Sequence, residues 1–139
     1  MTLAAVRGAL AARLDTISGL RIYDTPPDSV QELPAAIVMF GPDTTTYALT
    51  LAAEDVRFAF EVLLLLGSGD EIQAQQDLEP YVDATGASSI KAAVEGTLGG
   101  NADWASVSLV DPIRRIQYPD KGANYFWGAR FRVDVYKSA

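Results

Sequence analysis

The chain has neither cysteine nor histidine among its 139 residues. Without cysteine there are no disulfides, no thiolate nucleophile and no sulfur ligand for a metal. Without histidine the commonest general base and the commonest transition-metal ligand are missing. Together these absences exclude a Ser-His-Asp triad, a Cys-His pair and a histidine-bound zinc. Enzyme chemistry would have to rest on Asp, Glu, Lys, Tyr or Ser alone. Long apolar runs are also missing. A stretch such as Val62 to Leu66 is far too short to span a bilayer. The first residues are interrupted by Arg7 and Arg13, so no signal peptide is expected. The chain is expected to be a soluble protein made in a cytoplasm, with no membrane partner. Its length suits one domain over residues 1–139, large enough to fold on its own core.

What is present is period-two alternation. From Tyr125 to Tyr136, the residues Trp127, Ala129, Phe131, Val133 and Val135 fall on one side, and Phe126, Gly128, Arg130, Arg132, Asp134 and Tyr136 on the other. That pattern predicts a half-buried strand with a basic and aromatic exposed face. Val56, Phe58, Phe60, Val62, Leu64 and Leu66 likewise share one side of a longer strand, which becomes apolar on both sides at Leu63 and Leu65. This strand is expected to be central and antiparallel. The run 35–40 predicts another buried strand ending at Gly41-Pro42, with a further strand or arm starting at Thr44-Thr45-Thr46-Tyr47. A short strand is expected over Leu20 to Tyr23. Two more are expected over Trp104 to Val110 and Pro112 to Tyr118, with Asp111-Pro112 at a kink or bulge between them.

Helices are marked by a different period. Leu3, Val6, Leu10, Leu14 and Ile17 make one apolar stripe on a helix of about four turns, closed by Ser18-Gly19. Residues 70–79 predict a second helix capped by Asp70, which Pro80 breaks or restarts. Ser88 or Ser89 caps a third, with Ile90, Val94, Thr97 and Leu98 inward and Gly99-Gly100 at its end. Strands cluster in hairpins rather than alternating with helices. The fold class is therefore α+β: a mostly antiparallel sheet with helices packed on one face, in a single domain.

The net charge of −7 is unevenly divided. Residues 1–103 carry five basic and fifteen acidic side chains, whereas residues 104–139 carry six basic and three acidic. One reading is chance clustering on solvated faces. The other is that an acidic face of one subunit meets a basic face of the next, which steers association and fixes register. Candidate interface residues are Arg114, Arg115, Tyr125, Trp127, Arg130 and Arg132 from the basic end, with Tyr47, Asp24 and Asp28 from the loops. Arg114 and Arg115 are adjacent in a strand and should point to opposite faces. Asp24, Asp28 and Glu32 lack the spacing of a calcium loop, and Gly67-Ser68-Gly69 is followed by Asp70 and Glu71, which would repel an anion. No metal, cofactor or catalytic set is expected.

The order of parts resembles the tail terminator, or tail completion, proteins of long-tailed phages. The resemblance runs through the N-terminal helix into Gly19-Leu20-Arg21-Ile22-Tyr23-Asp24-Thr25-Pro26-Pro27-Asp28 and the strand start Leu33-Pro34-Ala35-Ala36-Ile37-Val38. It continues through the long apolar strand, Tyr81-Val82, and Gly86-Ala87-Ser88-Ser89-Ile90-Lys91-Ala92-Ala93, to the closing strand from Gly122 to Val133. What the resemblance implies is a virion structural protein of the tail or neck, assembled in the host bacterial cytoplasm. Its partners would be other copies of itself in a six-membered ring, the phage tail tube protein, and a head-tail connector or stopper protein. DNA would pass through the lumen without specific binding, and no catalytic residues are carried over. The alternatives are another neck component, a small ligand-binding domain, or a general interaction module.

Overall fold

The computed structural model describes residues 3–27, 30, 33–47, 56–67, 71–98, 100, 102–118 and 125–137. The described elements are α1 (Leu3–Leu14), β1 (Arg21–Tyr23), β2 (Ala35–Tyr47), β3 (Val56–Leu66), α2 (Glu71–Val82), α3 (Ile90–Val94), β4 (Trp104–Gln117) and β5 (Tyr125–Lys137). The strands form one sheet in the order β1-β2-β3-β5-β4, parallel only between β1 and β2. The class is α+β, as the clustering of strands predicts.

The alternating segments build the centre. β3 lies between β2 and β5 and pairs with β5 without a register break from Val56↔Lys137 to Leu66↔Trp127. Phe58, Phe60, Val62 and Leu64 face the same side as Ala129, Phe131, Val133 and Val135, and all are buried in the main core with Val6, Leu10 and Leu14 of α1. Such burial contributes roughly 1.5–3 kcal/mol for each large side chain. The opposite sheet face has a smaller core of Ile37, Leu63, Leu65, Ile116 and Tyr118. That is the double-sided burial expected at Leu63 and Leu65.

Parallel neighbours such as β1 and β2 need a chain that returns along the strand, and two described residues of that connection, Pro27 and Val30, lie over this second core. The Tyr118 hydroxyl donates to the Pro27 carbonyl, and Val30 packs against the apolar patch beneath.

Several boundaries depart from the expectations. α1 ends at Leu14, before Ser18. Tighter turns follow, with Thr16 N–H to Arg13 O at 3.2 Å and Ile17 N–H to Leu14 O at 3.0 Å. Ile17 nonetheless stays buried, and Gly19 takes φ +80° to turn the chain. Gly41-Pro42 does not end a strand: β2 continues to Tyr47 through a register shift between Phe40 and Thr45. A bulge accommodates a proline, which has no N–H to offer a ladder. A Cβ on Gly41 would lie 3.2 Å from the Ala59 carbonyl oxygen. Likewise β4 is one strand, with the expected kink at Asp111 present as two register shifts.

Pro80 lies inside α2 and does not stop it. Only the last turn loses a backbone donor, and Asp83 N–H still reaches Glu79 O at 3.1 Å. The Asp70 cap lies outside the described residues. α3 is shorter than expected, ending at Val94, with Leu98 buried but Thr97 exposed. Its cap is Ser89, which is buried, accepts from Ala92 N–H at 3.1 Å and donates to the Asp83 carbonyl. Arg13 Nε donates to Ala93 O at 3.0 Å, tying α1 to the end of α3.

Candidate functional site

The open face of the sheet divides into two halves. Antiparallel partners share a face, so register places Arg57 and Glu61 of β3, Arg130, Arg132 and Asp134 of β5, and Ser106, Ser108, Asp111 and Arg114 of β4 on one surface. The apolar half beside it is the one covered by the Pro27 loop.

The polar half is not a basic patch, and this corrects the expectation of a basic exposed face. Arg130 lies between two carboxylates: Nη1 is 3.9 Å from Glu61 Oε2 and Nε 3.7 Å from Asp111 Oδ2. At those distances the attraction is electrostatic, and Nε makes no hydrogen bond. Arg132 Nε donates to Asp134 Oδ2 at 3.1 Å, and Arg57 pairs with Asp134 from the other side. Arg114 reaches Asp111 at 3.8 Å, and Lys137 reaches Asp103 at 3.3 Å. Carboxylates from β3 and β4 thus interleave with the arginines of β5. Of these cations Arg114 projects furthest, with its side chain 57 % exposed.

The nine candidate interface residues do not form one cluster. Arg114, Arg130 and Arg132 come together on the polar half-face. Trp127 faces the other way and packs half-buried against the main core. Arg115 pairs with Trp127 and so also lies on the helix side, exposed. The two adjacent arginines do point to opposite faces, and both are exposed because β4 is an edge strand. Asp24 follows β1 at the far edge, four strands away in the sheet order. The Tyr47 and Tyr125 backbones end β2 and begin β5. Asp28 lies outside the described residues.

Exposed apolar side chains occur at positions that the sequence pattern did not single out. Trp104 is 55 %, Leu109 46 % and Val110 50 % exposed, all on β4, and Phe40 is 50 % exposed on β2. Leu109 and Val110 are consecutive, so they break the alternation that hides one face of a strand. That break was the available signal. Part of the β4 edge is shielded. Gly96 and Ala105 exchange backbone hydrogen bonds of 3.1 and 2.6 Å. Glu95 Oε2 accepts from Val107 N–H at 3.2 Å while holding Lys91. The Lys91 hydrogen bond first, and the Val107 amide second, hold the Glu95 carboxyl below its ordinary range.

At the opposite edge, an open groove of about 440 Å³ is lined by Ala11, Ala12, Asp15, Leu20, Arg21, Ile22 and Asp24. Among the described residues no group of acidic side chains is placed to hold a metal ion, and no helix is long and apolar enough to cross a membrane. No protein-family model and no curated protein matches the chain.

Proposed function

We propose that this chain is a ring-forming structural protein of a phage tail, ending tube growth at the head-proximal end and joining tail to head. The reading starts from the order of sequence elements that resembles tail terminators. The observation that carries it is the β4 edge, where Trp104, Leu109 and Val110 are about half exposed while the charged side chains beside them are paired within the chain. Exposed apolar residues on an edge strand favour contact with another protein. The partners proposed are further copies of the chain in a six-membered ring, a tail tube protein and a connector or stopper. DNA would pass through without specific contacts. No catalytic role is part of the proposal, and the place proposed is the tail or neck of the virion.

A connector or stopper ring on the head side is the second reading, because the same edge suits either ring. The experiment is to add the purified protein to a polymerising tail tube protein and follow tube length by negative-stain microscopy. Tubes that stop growing and carry an extra ring at one end support the terminator. Unchanged tubes without a ring shift the assignment to the head side.

A further inference from the structure

The two edges of the sheet differ in a complementary way. On β4, Ala105 turns its backbone groups outward to Gly96, and Val107 turns its N–H outward to Glu95. Backbone groups alternate sides along an antiparallel strand. The same outer side therefore receives the Val107 carbonyl and then the N–H and carbonyl of Leu109. Beyond Leu109 the register shifts at Asp111. The edge is thus blunted at both ends, by a carboxylate plug and by a bulge, with a short stretch between them flanked by Leu109 and Val110.

At the other edge, Arg21 N–H bonds Pro34 O at 3.0 Å on the β2 side, so the next residue, Ile22, turns its backbone groups outward. Beside it lies the groove between α1 and β1. Ala11 and Ala12 are small enough to leave room there, and Asp15 and Asp24 make it acidic with Arg21 as the one cation of the lining described.

We infer, on the basis of the ring proposed above, that the β4 edge around Leu109 of one copy adds to the β1 edge around Ile22 of the next, continuing the sheet from subunit to subunit. Three observations fix the occupant as a second copy. First, β1 and β4 run in opposite directions within the sheet, as the pairings in the order β1-β2-β3-β5-β4 require. Copies related by rotation about an axis along the strands therefore meet antiparallel. Second, Ile22 and Leu109 lie on the same sheet face, since they pair with Ala36 and Phe131 of the main core. Their side chains would extend one apolar layer. Third, the same strand carries Arg115, which lies on the helix side with Trp127, past the end of β1 on the face that holds the acidic groove, which matches charge of opposite sign. The contact joins two different edges and is heterologous, so it generates a ring when the rotation closes.

Because the chain has no cysteine, an introduced pair reports this contact without background. Ile22→Cys with Leu109→Cys is oxidised at the highest soluble concentration and run on a denaturing gel, beside light scattering of the unmodified protein. A ladder of covalent oligomers from the double variant, absent from either single one, is expected. Dimers from Leu109→Cys alone would mean that β4 meets its own copy, and would overturn the inference. Rings by light scattering with no ladder would leave the ring reading standing and remove this contact. A monomer with no ladder would remove the contact while the tube-mixing experiment still decides the ring reading. As a second variant, at an exposed position, Arg115→Glu is expected to weaken association several-fold, up to about tenfold, and Asp15→Arg in the same chain to restore it. No change on Arg115→Glu would remove the charged part of the contact.

Discussion

Glu95 places its carboxylate 3.2 Å from the backbone N–H of Val107, twelve residues further along the chain. One side chain thus closes a donor on the open edge of β4 while pairing with Lys91 one helical turn before it. An unplugged edge is a template for another strand, so this contact limits where β4 can be joined.

The contact has a defined pH dependence. The folded Glu95 carboxyl lies below its ordinary range, chiefly through Lys91 and then through the Val107 amide. Its stabilising contribution is therefore complete above the unfolded carboxyl's pKa and is lost as pH falls through the lower, folded value. The Val107 amide should lose hydrogen-exchange protection over that acidic range. In Glu95→Gln its protection should be lower at neutral pH and should lack this acidic step.

Gly128 is expected to be intolerant of any side chain. A Cβ there would lie 2.1 Å from the Leu64 carbonyl oxygen and 3.2 Å from Ile116. The obstructing atom is backbone of the central strand, which cannot swing away. Gly128→Ala should cost at least about 2 kcal/mol, measured as a lowered urea midpoint.

Tyr118→Phe tests the covering loop. The ring remains to fill the second core, and only the hydroxyl donated to Pro27 is lost. A cost of about 1 kcal/mol is expected. Faster proteolytic cleavage within residues 24–34 should accompany it.

Reversing charge at Arg130 should act on the fold before it acts on any partner. Arg130→Glu would add a third carboxylate to Glu61 and Asp111. The groups are partly exposed and screened, so roughly 1 kcal/mol of destabilisation is expected, seen as a lower thermal midpoint that recovers partly in high salt. Arg114→Glu, at the more exposed and looser pair, should leave the midpoint within about 0.5 kcal/mol.

The sequence by itself determined which side of β3 and of β5 is buried. Period two in β3 and β5 admits one assignment of faces, because a one-residue slip would turn Phe58, Phe60, Phe131 and Val133 into solvent. It also determined a serine cap at Ser88 or Ser89, the kink or bulge at Asp111 and the α1 stripe down to Ile17, since each rests on local chemistry. Tertiary structure decided what the prolines do. Gly41-Pro42 reads as a stop, yet β3 supplies pairing on both sides of it, so the chain bulges and continues. Pro80 is carried through because only the final helical turn depends on the missing donor. Tertiary structure also decided the charge of the open face. A run containing Arg130 and Arg132 reads as basic in isolation, but Glu61 and Asp111 arrive beside Arg130 on neighbouring strands. Strand order sets that arrangement, and it depends on contacts between residues far apart in the chain, which no local pattern encodes.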